Sequence, residues 1–371
     1  MKPVPVLLAC HQLNIGGSER QLAETARALD RARFEPHVAV FHAHGLRMEE
    51  LQRAGVPVLA LPVRSLRNFT AIEGARILRR YVREHGIRLI HSFDVPLNIF
   101  TTFSFAFGRR PVMLTSQRAH RALAGSLDHR FSRFADRLTD GIVVNCEYMR
   151  RHLMEEGVRA ELIDLCYNGV DTGRFSPGES ERPARLAGGD PLIGSVCALR
   201  PEKDLATLLG AFAAVHAVRP AARLVLVGSG PEHAGLERLA RELGIADAVV
   251  FEPTTSDVVR WLRMLDIFVL PSREEALSNA IIEAMACGAC VVASDVGGNP
   301  ELVGNEGERG LLFAAGNRQQ LAGRLLELAA DAGIRRRLAD AGRQWVGRVL
   351  AMPVAVERMS GIYEKHLGGR G

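Results

Sequence analysis

The sequence predicts an α/β protein made of two domains, each built on a sheet of parallel strands. Short apolar runs that stop at loops alternate with amphipathic helical segments along the chain, a pattern typical of β-α units. The length of 371 residues fits two domains of ordinary size. The stretch 172–191 is polar and rich in Gly, Pro and Ser, so we interpret it as a linker between domains at 1–171 and 192–351.

The composition excludes several classes of protein. Hydrophobic residues make up 47% of the chain and charged residues 24%, which indicates folded domains rather than disorder. No apolar run approaches the roughly 18 residues that a membrane-spanning helix needs. The apolar stretch 4–10 predicts a first strand rather than a signal peptide. We therefore expect a cytoplasmic protein, with the inner face of the membrane as a further location.

The six cysteines are scattered, most of them in apolar runs, which favours reduced core thiols over a disulfide framework. Cys287 and Cys290 match a C-x-x-C spacing, but no second pair accompanies them. A redox or metal site at this pair is therefore the less favoured interpretation.

Charge is distributed unevenly along the chain. Residues 1–175 carry 25 Lys and Arg against 18 Asp and Glu, whereas the remainder carries 22 against 24. Ordinary arginine-rich surface accounts for this imbalance, and attraction to anionic lipid headgroups or to a phosphorylated acceptor is the sharper alternative. A helical segment at 72–85 is particularly basic. Basic charge without a motif does not indicate nucleic-acid binding, which we do not expect.

The elements follow from periodicity and from turn residues. Buried strands are predicted from apolar runs bounded by Gly, Pro and polar residues, and helices from apolar residues three and four apart. In the first domain, strands are expected at 4–10, 37–41, 56–61, 89–92, 112–115 and 142–145, with helices at 19–29, 46–55, 72–85 and 97–107. In the second, strands are expected at 192–197, 224–227, 249–251, 267–270 and 290–293, with helices at 257–265, around Glu283, and from 318 onward.

The segment 266–301 contains the most informative pattern. A buried strand ends in Pro271-Ser272, and a loop carrying Glu275 leads into a helix carrying Glu283, eight residues later. Ser278 or Asn279 can cap this helix, and its first amides form a natural phosphate cradle. Two solvated glutamates beside an ordinary helix would give the same spacing, so the pair alone does not decide between the two interpretations.

Other strand ends also carry candidate ligand-binding residues. Gly16 and Gly17 precede a helix, where glycine allows close approach of an anion. His91 ends a strand, and ligands of open α/β sheets bind at such ends, although a core histidine is the alternative. Arg200 and Lys203 follow the first strand of the second domain and could neutralise a diphosphate.

Five ordered motifs resemble those of the retaining GT-B fold glycosyltransferases, specifically the family 4-like group 1 enzymes. These motifs are GGSER at 16–20, NGVD at 168–171, VGSGPE at 227–232, E-x7-E at Glu275 and Glu283, and GGNPE at 297–301. The resemblance implies two Rossmann-like domains whose parallel sheets face an interdomain cleft. It also implies that a C-terminal helix at about 352–371 packs back on the first domain.

The resemblance also implies roles for individual residues. The predicted catalytic residues are Glu275, which would hold hydroxyls of the donor sugar, and His91, which would contact that sugar. Glu283 would bind the ribose. The remaining predicted donor-binding residues are Arg200, Lys203, Gly228, Gly230, Ala276, Leu277, Ser278 and Asn279. The predicted acceptor and phosphate loop comprises Gly16, Gly17, Glu19 and Arg118. No metal and no cofactor is expected besides the nucleotide-sugar co-substrate, because no D-x-D motif occurs.

The sequence departs from the family pattern in places. Ala198 stands where the family has an arginine, and Arg200 lies two residues later, on the same face of an extended stretch. Ala276 and Ser278 replace the usual glycine and proline of the loop. These departures raise the question of whether Arg200 compensates for Ala198.

The predicted function is transfer of a sugar, with retention of configuration, from a UDP- or GDP-sugar to a glycan or lipid-linked acceptor in bacterial surface polysaccharide or glycolipid synthesis. One alternative is a nucleotide-sugar 2-epimerase, and another is a catalytically weak nucleotide-sugar-binding protein. Peripheral contact with an anionic membrane through the basic first domain is a further expectation. The sequence does not identify the sugar, the base or the acceptor.

Overall fold

The computed structural model describes residues 2–14, 16–118, 131, 133–304 and 307–369. The chain divides into two compact units. Unit 1 comprises Met1–Gly169 and Met352–Gly371, and unit 2 comprises Val170–Ala351. Within the described ranges, every helix is too short or too polar to cross a lipid bilayer.

Unit 1 contains a seven-stranded parallel sheet with the strand order β3-β2-β1-β4-β5-β6-β7. Strands β4 and β5 are buried along their whole length, as continuous apolar strands of a parallel sheet covered on both faces must be. The strands are β1 Val4–Gln12, β2 Phe34–His42, β3 Val58–Ala60, β4 Leu89–Ser92, β5 Val112–Gln117, β6 Gly141–Val144 and β7 Ile163–Leu165. The helices between them are α1 Gly17–Ala28, α2 Leu46–Arg53, α3 Phe69–Glu84, α4 Val95–Ser104 and α5 Glu147–Glu155.

Unit 2 contains a six-stranded parallel sheet with the order β10-β9-β8-β11-β12-β13. Its core consists of inward-facing strand residues and the apolar faces of the surrounding helices. The strands are β8 Leu192–Val196, β9 Arg223–Val227, β10 Val249–Glu252, β11 Ile267–Leu270, β12 Cys290–Ser294 and β13 Leu311–Phe313. The helices are α6 Leu205–Val218, α7 His233–Glu242, α8 Val258–Met264, α9 Asn279–Cys287, α10 Asn299–Val303, α11 Arg318–Ala330 and α12 Ala332–Val349.

The last helix, α13 Met352–Gly368, returns to unit 1. We predicted this return, and the apolar face of α13 lies in the core formed by β1, β2 and α1. Tyr363 is fully buried and packs edge-on against Phe34, with ring centroids 5.8 Å apart. The C-terminal segment therefore completes the core of unit 1.

Residues 172–191, which we predicted to be a linker, belong to unit 2. Phe175 is 2% exposed and Leu186 is fully buried. Arg182 forms an ion pair with Asp266 at 3.0 Å, immediately before β11. The polar composition of this stretch conceals these apolar and ionic anchors, so the linker prediction needs correction.

Each sheet has one point at which the strand order reverses. In unit 1 it lies between β1 and β4, and in unit 2 between β8 and β11. Chain segments that leave the two central strands there turn to opposite faces of the sheet and open a crevice at the carboxyl ends. These two strand-end crevices are where ligand-binding residues are expected.

Candidate active site

The crevice of unit 2 holds a lysine-glutamate pair. Lys203 ends a short 3-10 turn after β8, and Glu275 lies in the loop after β11. Lys203 Nζ donates to Glu275 Oε1 at 2.5 Å, and Ser272 Oγ donates to the same oxygen at 2.8 Å. The Lys203 side chain is 21% exposed and that of Glu275 12%. Oε2 of Glu275 accepts no hydrogen bond from the described residues, so it can bind a ligand hydroxyl.

A second ion pair links the same two loops. Asp204 lies 3.1 Å from Arg273 Nε, and the Arg273 amide donates to the carbonyl oxygen of Glu202 at 2.8 Å. Asp204 has φ of +47°, the only positive value for a residue other than glycine among the described residues. Such a conformation costs about 1 kcal/mol or more, and here the ion pair and a hydrogen bond from Thr207 hold it in place. Asp204 and Arg273 therefore fix the positions of Lys203 and Glu275.

Arg200 has a different environment from Lys203. Its side chain is 64% exposed, and its nearest carboxylate is that of Glu202, at 3.9 Å. Leu199 is buried, whereas Ala198 and Arg200 on either side of it are exposed. Compensation for Ala198 by Arg200 thus remains a prediction, and Lys203 is the cation that the fold directs into the crevice.

Glycines bring the neighbouring backbone segments into contact around this pair. Gly228, with φ of +150°, directly faces the carbonyl oxygen of Cys197, and Gly230 faces that of Leu199. The Leu199 amide donates to the carbonyl oxygen of Ser229 at 3.1 Å. A Cβ atom at either glycine would collide with backbone. Gly228 and Gly230 therefore position the loop that carries Lys203, while their contact with a donor remains a prediction.

The loop carrying Glu275 is braced from the β12 side. Ser294 Oγ donates to the carbonyl oxygen of Ser272 at 2.6 Å, and the Gly298 amide donates to that of Ala276 at 2.7 Å. Gly297, with φ of +55°, faces the carbonyl oxygen of Glu275 so closely that no side chain fits there. The GGNPE turn thus packs directly against the backbone of the Glu275 loop and holds it in place.

Helix α9 begins immediately after this loop. Ser278 caps it by accepting a hydrogen bond from the Ile281 amide at 3.3 Å, and Asn279 is its first residue. Ala276 and Leu277 are buried beside the cap. Glu283 lies in the second turn of α9 and is 6% exposed. The first-turn amides, which carry partial positive charge, therefore lie at the same sheet edge as Lys203.

In unit 1, the GGSER segment begins α1. Gly16 occupies the N-cap position and Gly17 is the first helical residue. Glu19 folds back over Gly16, where a Cβ atom would collide with its carboxylate. Gln21, one turn further on, exchanges two hydrogen bonds with the backbone of Gly169, at 2.8 and 3.0 Å. The GGSER and NGVD motifs are therefore joined by a buried side chain that the sequence analysis missed.

His91 is a core residue of unit 1. It is fully buried, and its Nδ1 and Nε2 each share a 2.8 Å hydrogen bond, with Tyr363 Oη and Ser116 Oγ respectively. Burial, together with the charges of Arg118 and His366, holds the pKa of His91 well below its ordinary value. Direct contact between His91 and the transferred sugar, which we predicted, is not supported by this geometry. His91 instead joins α13 to strands β4 and β5.

Asp94 lies at the reversal point of unit 1. It caps α4 by accepting from the Leu97 amide at 3.0 Å, and it also accepts from the His11 amide at 2.5 Å. Burial raises the pKa of Asp94 to about 6, although both hydrogen bonds oppose this rise. Its position before Val95-Pro96 is the signal of a helix cap that could have identified it from the sequence.

Arg118 directly follows β5 at the same edge. Its Nη1 donates to Asn168 Oδ1 at 2.6 Å, and its guanidinium lies 4.8 Å from the centre of the Phe93 ring. Burial lowers the pKa of Arg118 to about 10. It forms no ion pair with a described residue, so its charge is available to an anion. Phosphate binding by Arg118 stays a prediction.

Two family models match the chain one after the other. The model of Glycosyltransferase Family 4 matches residues 15–174, and that of Glycosyl transferases group 1 matches residues 178–345. The chain belongs to this family of glycosyltransferases. The predicted family is confirmed, and the two models divide the glycosyltransferase near the boundary between units 1 and 2.

Related sequences agree with this family, and solved structures share the fold. A D-inositol 3-phosphate glycosyltransferase of Streptomyces bingchenggensis is 33% identical over 221 residues, which are 56% of this chain and 48% of that protein. The chain therefore spans about half the length of the curated relatives it matches. Anabaena HepE in complex with UDP superposes with a TM-score of 0.83 at 21% identity, covering 98% of this chain and all of that one. Sucrose-phosphate synthase of Thermosynechococcus elongatus superposes with a TM-score of 0.83 at 20% identity, covering 99% of this chain and 100% of that one.

These similarities and the two parallel sheets confirm the predicted GT-B fold class. Within unit 2, Lys203, Glu275 and the α9 N-terminus lie at one sheet edge. The supporting residues that sequence reasoning missed are Asp204, Thr207, Ser272, Arg273 and Ser294 in unit 2, and Gln21 and Asp94 in unit 1. Among the described residues, no group of three or more His, Cys, Asp or Glu is arranged to hold a metal ion.

The glycine contact under the Lys203 loop leads to a stability prediction. Gly228→Ala should destabilise unit 2 by about 2–3 kcal/mol, because its Cβ atom meets the Cys197 carbonyl oxygen and its φ is positive. Gly235→Ala is the matched control, since Gly235 lies in α7 with open space around it and should gain up to about 1 kcal/mol. Urea unfolding measures both. Equal stability of the two variants would show that the backbone contact is unimportant.

Proposed function

We propose that this protein is a retaining glycosyltransferase that moves a hexose from a UDP- or GDP-sugar to a glycan or lipid-linked acceptor. The observation that carries the proposal is the Lys203–Glu275 pair at the carboxyl edge of the unit 2 sheet, beside the N-terminus of α9. This arrangement combines a cation and helix amides for a diphosphate with a carboxylate for sugar hydroxyls. We further propose a role in bacterial surface polysaccharide or glycolipid synthesis.

Chemically, transfer requires stabilisation of the leaving diphosphate. Lys203 Nζ and the first amides of α9 would supply that stabilisation without a metal ion. Glu283 would bind the ribose, and Glu275 Oε2 would orient the donor sugar. Oε1 of Glu275 is already engaged by Lys203 and Ser272, which favours a positioning carboxylate over a nucleophile. The leaving phosphate would then accept the proton of the acceptor hydroxyl.

The donor proposal has support from solved structures. Anabaena HepE has been solved with UDP and with UDP-glucose, and this chain shares its fold at 21% identity. At that identity the similarity shows the fold alone, so the test of the donor includes UDP-, GDP- and ADP-sugars.

The acceptor proposal rests on unit 1. Arg118, which forms no ion pair with the described residues, carries a charge at the carboxyl edge that favours an acceptor with a phosphate group. Several curated relatives are D-inositol 3-phosphate glycosyltransferases, which fits a phosphorylated acceptor. We propose that the protein works at the cytoplasmic side of an anionic membrane, where phosphorylated lipid-linked acceptors would be available.

Thermal-shift measurements with UDP-, GDP- and ADP-sugars test the donor. We expect one nucleotide series to raise the melting temperature and the others not to. Products formed from the stabilising donor, analysed by NMR, then distinguish transfer with retention from 2-epimerisation. An inverted product, a free epimer, or absence of any shift across the panel would each refute the proposal, and a shift without any product would favour the catalytically weak nucleotide-sugar-binding protein.

A further inference from the structure

Helix α3 carries a stripe of exposed residues that face solvent in one direction. The spacings of three, four, three and four residues place them on one face of the helix. Phe69 is 75% exposed and Ile72 is 59% exposed, and the arginines that follow are also exposed. The α3 stripe consists of Phe69, Ile72, Arg76, Arg79 and Arg83. Its composition is therefore two apolar residues followed by three cations.

The acidic residues of α3 lie outside this stripe. At 100° per residue, Arg80 projects just beside the stripe, and Glu73 and Glu84 project further round the helix on the same side. Glu84 lies 3.9 Å from Arg80 Nε, so that carboxylate is directed to Arg80 rather than to the stripe. Leu78 and Val82, on the opposite face, are buried against the sheet. The stripe therefore presents positive charge and apolar surface without an acid.

A groove of about 1060 Å³ adjoins the stripe. No acidic residue lines it among the described residues, and its floor includes Ile87 and Phe105. Phe107 at its rim is 89% exposed. The arginines that line it are Arg79, Arg83, Arg88, Arg109 and Arg110.

Most of this charge is not neutralised by the protein. Arg110 pairs with Asp140 at 2.6 Å, and Arg79 donates to the carbonyl oxygen of Ser104. Arg83, Arg88 and Arg109 form no ion pair with a described residue and are exposed. Within unit 1, three unpaired cations thus surround an apolar floor.

The groove lies at the end of the sheet opposite to the candidate site residues of unit 1. Arg88 precedes β4, and Arg109 and Arg110 precede β5, so the groove is at the amino ends of these strands. Arg118 and Asp94 follow the carboxyl ends of the same strands. Strands of this length separate their two ends by roughly 13–20 Å. A partner in the groove would therefore leave the carboxyl edge unobstructed.

We propose that the α3 stripe and this groove together form a docking surface for an anionic lipid bilayer. The arginines would contact headgroup phosphates, while Phe69, Ile72 and Phe107 would enter the headgroup and acyl boundary with α3 lying in the plane of the membrane. This surface specifies which part of unit 1 makes the membrane contact proposed above. Its role in bringing the protein to a lipid-linked acceptor rests on the proposed function. Vesicle binding itself does not depend on catalysis.

The apolar residues favour a bilayer over a nucleic acid. Bases of a single-stranded nucleic acid would stack on the rings of Phe69 and Phe107 but not on the aliphatic Ile72, whereas the headgroup and acyl boundary of a bilayer accommodates all three apolar side chains. Phosphate contacts alone would not require Phe69 and Phe107 to be exposed by 75% and 89%. An in-plane amphipathic helix needs both features on one side, and the α3 stripe has both.

Co-sedimentation of the full chain with vesicles tests the docking surface. We expect binding to vesicles of phosphatidylcholine with phosphatidylglycerol, but not to phosphatidylcholine alone. The variant Arg83→Gln/Arg109→Gln should weaken that binding about 25-fold, because each arginine at a membrane surface contributes about fivefold. Phe107→Ser should weaken it about tenfold through lost apolar burial.

The control variant Arg53→Gln/Arg151→Gln removes the same charge from exposed positions of unit 1 outside the stripe and groove. It should bind within about twofold of the unchanged protein. An equal loss in the control, no binding to the anionic vesicles, or saturation by inorganic phosphate or single-stranded RNA in place of vesicles would overturn the proposal. Nucleotide-induced thermal shifts, measured in parallel, report the donor site separately, so either proposal can fail without the other.

Discussion

Replacing Glu275 by glutamine should lower kcat/KM for sugar transfer about 100-fold while the fold survives. Glutamine keeps the size of the side chain but removes the charge that receives Lys203 Nζ at 2.5 Å and Ser272 Oγ at 2.8 Å. Charge-assisted hydrogen bonds contribute roughly 1.5–3 kcal/mol, and the variant weakens both the internal bond and the proposed bond to a sugar hydroxyl. Steady-state kinetics with the donor found by thermal shift measures the effect.

Glu237→Gln provides the control for this experiment. Glu237 is a partly exposed glutamate on α7, with a side chain 41% exposed, so the same chemical change there should leave kcat/KM within about twofold. Circular dichroism and the melting temperature establish that both variants are folded. If the Glu275 variant turned over at a near-normal rate, the carboxylate would have no part in transfer, and the assignment of this loop would fail.

The sequence predicted the candidate site of unit 2 because its residues occupy strand ends. Lys203 and Glu275 each follow an apolar run, and a parallel sheet gathers such positions at one edge. Their direct bond is not visible in the sequence, since they are 72 residues apart. It depends on β11 pairing with β8 rather than with β10, which is the preceding strand in the chain.

His91 shows why burial is harder to predict than position. Its place at the end of β4 was found correctly. The residue that closes over it, Tyr363, lies 272 positions later on α13. A strand-end histidine that meets solvent and one that is capped by a distant helix have the same local sequence. Long-range packing, rather than any local sequence signal, therefore decides whether such a histidine is a ligand-binding residue or a core residue.

Two short strands and the conformation of Asp204 were also missed, because each depends on local backbone geometry that leaves no pattern in the sequence. The short strands β7 and β13 have three residues each, too few to show a period. Asp204 adopts a positive φ that aspartate rarely adopts, and its partner Arg273 lies in a different loop. Nothing about an aspartate after a lysine indicates such a conformation. Supporting residues of this kind can be identified only from the structure, in which the loops carrying Asp204 and Arg273 lie side by side.

Replacing Lys203 by methionine should weaken binding of UDP, or of GDP if that series is the donor, about 100-fold. Methionine retains an unbranched apolar side chain but removes the charge proposed to face the diphosphate. Lys203 is 21% exposed and lies between the two loops of the unit 2 crevice, so solvent screens its charge less than it screens Arg200, which is 64% exposed. Arg200→Ala should therefore change the affinity by less than about threefold. Isothermal titration calorimetry measures both dissociation constants.

Two further variants separate a lost charge from a disturbed loop. Lys203→Arg keeps the cation and should recover part of the affinity, limited by the planar guanidinium in a place shaped for an ammonium group. Glu275→Gln should retain nucleotide binding within about fivefold, because Lys203 remains beside the proposed diphosphate. If Arg200→Ala proved as damaging as Lys203→Met, the exposed arginine would be the missing family cation. Ala198 would then mark a displaced diphosphate contact rather than a weakened enzyme.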